Sequence, residues 1–391
     1  MQSICETQNC TGCAACMNIC PTGCITMAED VIGHPFPRIE AAKCVDCKKC
    51  AKVCPGNSLP GLHEASRAFA VWSLDEKEHS SSSSGGMAAV LTRETLEAGG
   101  VVYGCSSRFT GEGIGHARID RSEEAWLLCG SKYLQSHIGD SYKRAQADLK
   151  AGRKVLFIGT PCQIAGLRAF LGRAYENLLV VDLICHGVPP QKLLFDDIGL
   201  QPDQLEGGYI SFRGPDGYFL KILPPEGQLL YAAQERDDLF YIGFGKALFF
   251  RQSCYSCPYA RAERPGDLTL GDFWGLGEKI PFAHRTENGV SVVLLNTKAG
   301  EAAFASIRDK LFFEERTVEE AVAGNWNLQH PSLPHEKTER FRALYPAAGF
   351  QKAAKSCLKK NIRKYRLLKQ IQKCPAALRL VSRLKALRRG G

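Results

Sequence analysis

The sequence predicts a chain of mixed architecture, α/β and α+β: a small cysteine-rich N-terminal domain, then an α/β body with a partly parallel sheet and antiparallel additions. Three observations predict it. Eight cysteines fall in two matched runs before residue 55. Between Lys154 and Cys185 an apolar strand, a tight turn, an amphipathic helix and a second apolar strand follow one another, the βαβ pattern of a parallel sheet covered on both faces. After Leu200 the pattern changes to short strand-like segments separated by turn residues, as antiparallel pairing requires. At 391 residues, 45% of them hydrophobic, the chain is long enough to bury more than one core.

The first cysteine run, CTGCAACMNICP, spans Cys10 to Pro21, and the second, CVDCKKCAKVCP, spans Cys44 to Pro55. Each is spaced C-x2-C-x2-C-x3-C with proline after the last, and the two are offset by 34 residues. Thiolates hold iron–sulfur clusters because iron in a sulfide cage takes soft sulfur ligands. Three cysteines at this spacing wrap one corner of a 4Fe-4S cubane, and the fourth ligand comes from the other run. That rule gives one cluster Cys10, Cys13, Cys16 and Cys54, and the other Cys44, Cys47, Cys50 and Cys20. A zinc module with CxxC knuckles is the competing reading, but tetrahedral zinc has no use for the doubled internal spacing. Residues 1–58 thus resemble a bacterial-type two-cluster ferredoxin domain. Cys5 and Cys24 lie outside the pattern and read as small buried core residues.

A linker, Gly56 to Ala68, leads to the strand AVWSL. A helix follows from Met87 to Ala98, stopped by Gly99 and Gly100. The serine run and Gly85-Gly86 lie at its N-terminus, where unpaired N–H groups and the helix dipole suit an anion; a flexible serine-rich loop is the plainer alternative. VVYGC (Val101 to Cys105) reads as a buried strand and TGEGIGH as a turn. A helix is expected from Ser141 to Ala151, the strand KVLFIG from Lys154 to Gly159, a helix QIAGLRAFL ending at Gly172, and a strand ending at Cys185. PPQKLLFDDIGL reads as a helix, and YISFRG, GYFLKILPP and QLLYAA as successive antiparallel strands. DLTLGDFWGLG is a strand running into a glycine-rich turn with Asp272 and Trp274, and one more strand and helix close the body.

In parallel α/β sheets ligands gather at the carboxyl ends of the strands. Cys162 follows one apolar strand and Cys185 ends the next, so both thiols emerge on one edge if those strands are neighbours. With Cys254 and Cys257 of CYSC they would form a third all-thiolate site, which reads as a further 4Fe-4S cluster. A buried apolar role for each cysteine, or a zinc knuckle at CYSC, is the competing account.

GTPCQIAGLR, Cys185, the CxxC of Cys254 and Cys257, and the GDFWG turn resemble the beta subunit family of coenzyme F-420 hydrogenases and dehydrogenases, over roughly Ala68 to Leu311. The resemblance divides the body into an N-terminal-like region, 68–200, and a C-terminal-like region, 201–345. It implies a flavin-binding body: an FAD, with Cys162, Cys185, Cys254 and Cys257 holding the inner cluster. It places Ser84, Gly85 and Gly86 near the FAD pyrophosphate, Lys132 and Tyr133 at the flavin, and Thr160 and Gln163 among the cofactor contacts. Lys132 would stabilise reduced flavin, and His186 would relay a proton or hydrogen-bond near the cluster. The implied activity passes electrons between a hydride carrier (F-420-like or nicotinamide) or a reducible substrate, the flavin and the clusters. The segment HGVPP after Cys185 departs from the methanogen pattern and leaves the carrier open. The competing classes are a non-catalytic electron-transfer subunit, linked to polysaccharide biosynthesis, and a zinc protein that binds nucleic acid.

Charge is unevenly spread. From Gln351 onward there are 14 Lys/Arg and no Asp/Glu, while the rest carries 36 basic and 41 acidic residues. The segment 350–391 reads as a basic amphipathic tail, split at Pro375, whose natural surfaces are an anionic membrane or an acidic partner. Stacking aromatics are scarce there, which argues against nucleic acid. Cys357 and Cys374 have no ligand-like spacing. No apolar run approaches the roughly 18 residues of a membrane span, and the first residues lack the basic and apolar regions of a secretory signal. These features predict a cytoplasmic protein, with the tail as a route to the inner face of the membrane, working with a redox partner protein or a hydride carrier.

Overall fold

The computed structural model describes residues 3–214, 217–225 and 228–373. The N-terminal domain holds α1 (Ala15–Ile19), the hairpin β1 (Ile25–Glu29) and β2 (Pro35–Ile39), and α2 (Lys49–Lys52). The body begins with β3 (Arg67–Ser73), α3 (Glu76–Ser81), α4 (Met87–Glu97), β4 (Val101–Cys105), β5 (His116–Ile119) and α5 (Ser141–Lys150). It continues through β6 (Val155–Gly159), α6 (Pro161–Leu171), β7 (Leu178–Leu183) and α7 (Gln191–Ile198). Three short strands, β8 (Tyr209–Gly214), β9 (Gly217–Leu223) and β10 (Tyr231–Gln234), precede α8 (Leu239–Gly245). The chain then runs through β11 (Leu268–Asp272), β12 (Ser291–Leu295), α9 (Lys298–Ser306), β13 (Leu311–Arg316), α10 (Val318–Gly324) and α11 (Thr338–Lys373).

One eight-stranded sheet, in the order β13-β3-β12-β11-β7-β6-β4-β5, organises the body. Its middle, β11-β7-β6-β4, is parallel, and the flanking strands are antiparallel. The mixed sheet expected from the sequence is therefore present, and strands from both sides of residue 200 share it. Alternation along the parallel strands divides two cores. Val101, Tyr103, Val155 and Phe157 face α5 and α6, where Ala14 and Ala15 of the N-terminal domain join the same core. Val102, Leu156, Val181 and Leu268 face the opposite side with Met87, Val90, Leu91 and Phe304. The N-terminal domain is thus packed into the body. Its linker is pinned by reciprocal backbone bonds between His63 and Arg264 at 2.8 Å. Arg264, itself buried, forms an ion pair with buried Asp182 at 2.6 Å.

The expected helices after Met87, Ser141 and Thr160 are present. Thr160 and Gln163 form a capping box around Pro161 at the start of α6, and Gly172 closes the helix with φ 65°. TGEGIGH is a turn, but its final histidine opens β5, which a four-residue segment with two basic side chains does not announce. YISFRG and its successors form a separate antiparallel sheet, β10-β9-β8.

The basic segment differs from expectation at its start. The helical region opens at Thr338, turns at Gly349 (φ 72°, ψ 167°) and continues to Lys373. Phe350, Ala353, Ala354, Cys357 and Leu358 are buried in an aromatic third core with residues of α7 and α8. The apolar side of this stretch is therefore covered by the body itself. Pro375 and Cys374 lie outside the described residues. No helix among the described residues is long and apolar enough to cross a membrane.

Candidate metal centres and the adjoining cleft

The two cysteine runs fold into a pseudo-repeat. Ala14 and Lys48, 34 residues apart, both sit in the left-handed region (φ 58° and 57°) at the start of α1 and α2. This tight turn aims the three near cysteines of each run inward. One cavity is lined by Cys10, Cys13, Cys16 and Cys54, another by Cys20, Cys44, Cys47 and Cys50. The fourth cysteine of each run has crossed to the other's site, as the spacing predicts. Cys24 is a buried core residue, as expected, and also lines the second cavity, whereas Cys5 is only half-buried and sits on the first. Cys5 lies among the thiols of Cys10 and Cys54, and Cys24 Sγ is 3.4 Å from Cys20 Sγ.

A third cavity gathers Cys162, Cys185, Cys254 and Cys257. The parallel neighbours β6 and β7 deliver the first two at their carboxyl edge. Cys162 stands in the first turn of α6, where Thr160 Oγ1 is 3.2 Å from its sulfur. The backbone N–H of Gly187 donates to Cys185 Sγ at 3.4 Å. The other two thiols come from the segment after α8. Among the described residues, no three Cys, His, Asp or Glu groups close around a point that would hold a single ion.

The first and third cavities share a wall. Thr11 lines both, and Gly166 of α6 lies against Cys13. Arg251, one of the most deeply buried side chains, fastens the loop between them. Its guanidinium donates to Cys10 O at 3.0 Å, to Gln135 Oε1 at 3.2 Å and to Pro35 O, and lies 4.3 Å from the Phe36 ring centroid. Ser253 Oγ donates to the same Cys10 carbonyl at 3.1 Å, and Gln135 Nε2 to Thr11 O at 3.1 Å. Sequence reasoning missed Arg251; a basic residue three positions before CYSC is the one signal available.

On its other side the third cavity meets an open aromatic cleft. His186, Asn327 and Ser332 line both. Tyr133, Tyr218, Tyr241, Phe244, Trp274 and Trp326 supply the cleft's ring surface. Asp272 of the GDFWG turn lies there too, paired with Arg213 at 2.6 Å. His186 packs between Phe244 and Phe250, both at 5.4 Å between centroids.

The remaining predicted residues fall in two places. Ser131 N donates to Ser83 Oγ at 2.7 Å, so the serine–glycine turn and the Ser131-Lys132-Tyr133 segment are brought together. Ser84 Oγ is buried without a hydrogen-bond partner, and Gly86 (φ 88°) caps the start of α4. Lys132 does not line the cleft. Its ammonium donates to the carbonyls of Leu128, Cys129 and Gly130 at 2.8–3.0 Å, and burial pulls its pKa down. Thr160 and Gln163 spend their polar groups on the α6 cap, on Cys162 and on Ser136.

Fold and cavities together describe an iron–sulfur electron-transfer protein of the oxidoreductase type: a 4Fe-4S dicluster domain, matched over residues 9–58, joined to an α/β body. Residues 152–321 of that body match the family described as the C terminus of the coenzyme F420 hydrogenase/dehydrogenase beta subunit. No curated protein matches the chain. A solved structure of the F420-reducing NiFe hydrogenase complex from Methanosarcina barkeri, a xenon derivative, is similar at 17% identity. The match covers 80% of this chain and 93% of that one, with a TM-score of 0.42.

Proposed function

We propose that the chain is a flavin-dependent iron–sulfur oxidoreductase that links single-electron transfer at its N-terminal domain to chemistry in the aromatic cleft. The observation that carries this is the position of the third cysteine cavity. It shares Thr11 with the Cys10 cavity on one side and His186 with the cleft on the other. A thiol site with one exposed cysteine, Cys47, then the Cys10 site, the inner thiols and an open aromatic cleft make the order an electron path needs.

In this reading Cys10, Cys13, Cys16 and Cys54 hold one 4Fe-4S cluster, Cys44, Cys47, Cys50 and Cys20 a second, and Cys162, Cys185, Cys254 and Cys257 a third. We assign FAD to the cleft, with its pyrophosphate at the serine–glycine turn that the Ser131–Ser83 bond ties to the segment bearing Tyr133. The ring wall of Tyr133, Tyr241 and Phe244 offers stacking surface, and Ser84 with the start of α4 offers donors to a pyrophosphate. A flavin takes two electrons as hydride and releases them singly, the chemistry that side chains lack. His186 lines both the inner cavity and the cleft, and we assign it to hold a proton there. Lys132, caged by carbonyls, shapes the loop that presents Tyr133. The substrate is a hydride carrier or a reducible compound that enters the cleft, and the protein serves a redox partner from the cytoplasm.

Iron, zinc and acid-released flavin per chain, measured on anaerobically purified protein, test this. About twelve iron atoms, four per cubane, with one FAD are expected. About eight irons without flavin would sink the inner cluster and the enzyme, leaving an electron-transfer subunit. Zinc in place of iron would sink the whole reading.

A further inference from the structure

We propose that the second cysteine repeat is the docking face for an acidic one-electron carrier protein, a proposal that rests on the cluster reading above. The pseudo-repeat carries the argument. The first repeat docks onto the body through Ala14, Ala15 and Asn18. The two alanines are buried in the core that α5 and α6 complete. Asn18 donates to Gly139 O at 2.9 Å and accepts from Lys143 N at 3.4 Å. The positions 34 residues later are Lys48, Lys49 and Lys52, and all three are exposed.

The same backbone turn thus presents a small apolar surface where this chain supplies the partner, and a lysine surface where it supplies none. Cys47 is exposed and shares its cavity with Lys48 and with Val45, itself 65% exposed. Pro21, also exposed, borders the same cavity. An apolar centre ringed by charge is the anatomy of a transient protein interface. The carboxylates near it are Glu40, paired with Lys43 at 2.8 Å, and Asp46. The three lysines leave the rim basic, and a basic rim steers acidic partners and repels basic ones. At this face one electron leaves the reduced carrier and enters the chain; the carrier is oxidised by one, the chain reduced by one, and no bond forms or breaks.

The test uses the full chain with its clusters assembled anaerobically, wild type and K48E/K49E/K52E, with reduced acidic flavodoxin as the probe. Bleaching of the visible band is followed by stopped flow. The wild-type rate should fall as salt is added. The triple variant should react roughly tenfold more slowly and lose most of its salt dependence. Excess dithionite should bleach both proteins to the same extent. K48Q/K49Q/K52Q should fall between them, and it carries the test if the glutamates impair cluster assembly. Equal flavodoxin rates in wild type and variants would overturn the proposal. So would a lower extent of bleaching by dithionite in both variants, which would put the lysines' effect on the cluster instead of on docking. A wild-type protein that dithionite does not bleach would overturn the cluster reading itself.

Discussion

Gly166 on α6 lies directly against Cys13: a Cβ at Gly166 would stand 3.0 Å from both Cβ and Sγ of Cys13, and 2.9 Å from the Tyr142 hydroxyl. The absence of one methyl group is what lets the helix bearing Cys162 touch the loop bearing Cys13. Gly166→Ala would gain about 1 kcal/mol of helix propensity and lose about 1–3 kcal/mol to overpacking. The expected result is a net loss of stability in urea unfolding, together with faster proteolysis of the 56–68 linker as the N-terminal domain loosens.

Arg251→Gln removes a buried cation that serves three carbonyl oxygens across two domains. The loss should be about 2–4 kcal/mol by chemical denaturation. A cation beside a cluster favours the reduced, more negative form. An EPR-monitored redox titration should therefore place the site of Cys10, Cys13, Cys16 and Cys54 at a lower potential in the variant.

Leu358→Ala separates two roles for the basic segment. Leu358 is fully buried in the aromatic core, so truncation should cost about 2–4 kcal/mol. Sedimentation with anionic vesicles should be unchanged by it. A variant that kept full stability but lost vesicle binding would return this side of the helix to the membrane.

Asp197 gives a pH dependence whose sign can be worked out. Burial pushes its carboxyl from 3.8 up to about 7, with the Asp238 carboxylate adding to the rise. Bonds from Phe240 N–H and the Gln351 amide, and the charge of Lys355, oppose it without cancelling it. The folded chain holds this proton more tightly than the unfolded one. Its stabilisation is complete below about pH 4 and is lost as pH rises through about 7. Asp197→Asn should therefore match wild type near pH 4 and exceed it at pH 8 by about 1–2 kcal/mol, as read from urea midpoints.

Much of this could be read in the residues. The cysteine runs name their own fold because ligand spacing constrains backbone directly, and the crossing of Cys20 and Cys54 follows from it. The continuous apolar runs at Val155 and Leu178 announced parallel neighbours, and neighbours place Cys162 and Cys185 on one edge. The cleft was harder. Its rings come from Tyr133, Tyr218, Phe244 and Trp326, segments with no shared period, joined only by tertiary packing. Arg251 was hidden for the same reason: its partners, the carbonyls of Cys10 and Pro35, are backbone groups that leave no mark on sequence. The first turns of the tail read otherwise than they fold, because lysines alternating with apolar residues read alike for a lipid surface and for the aromatic core that covers Phe350 and Leu358.

The anchoring of the Cys10 carbonyl has a consequence in time. The two side chains that bond it, Arg251 and Ser253, lie 241 and 243 residues further along the chain. At ordinary rates of synthesis the first cysteine run exists for roughly 10–50 s before they are made. In that interval the thiols of the nascent N-terminal segment are open to iron, to oxygen and to one another. The arrival of the RQSC segment adds the bonds that fasten the loop against the body, so the first run is fastened last although it is made first.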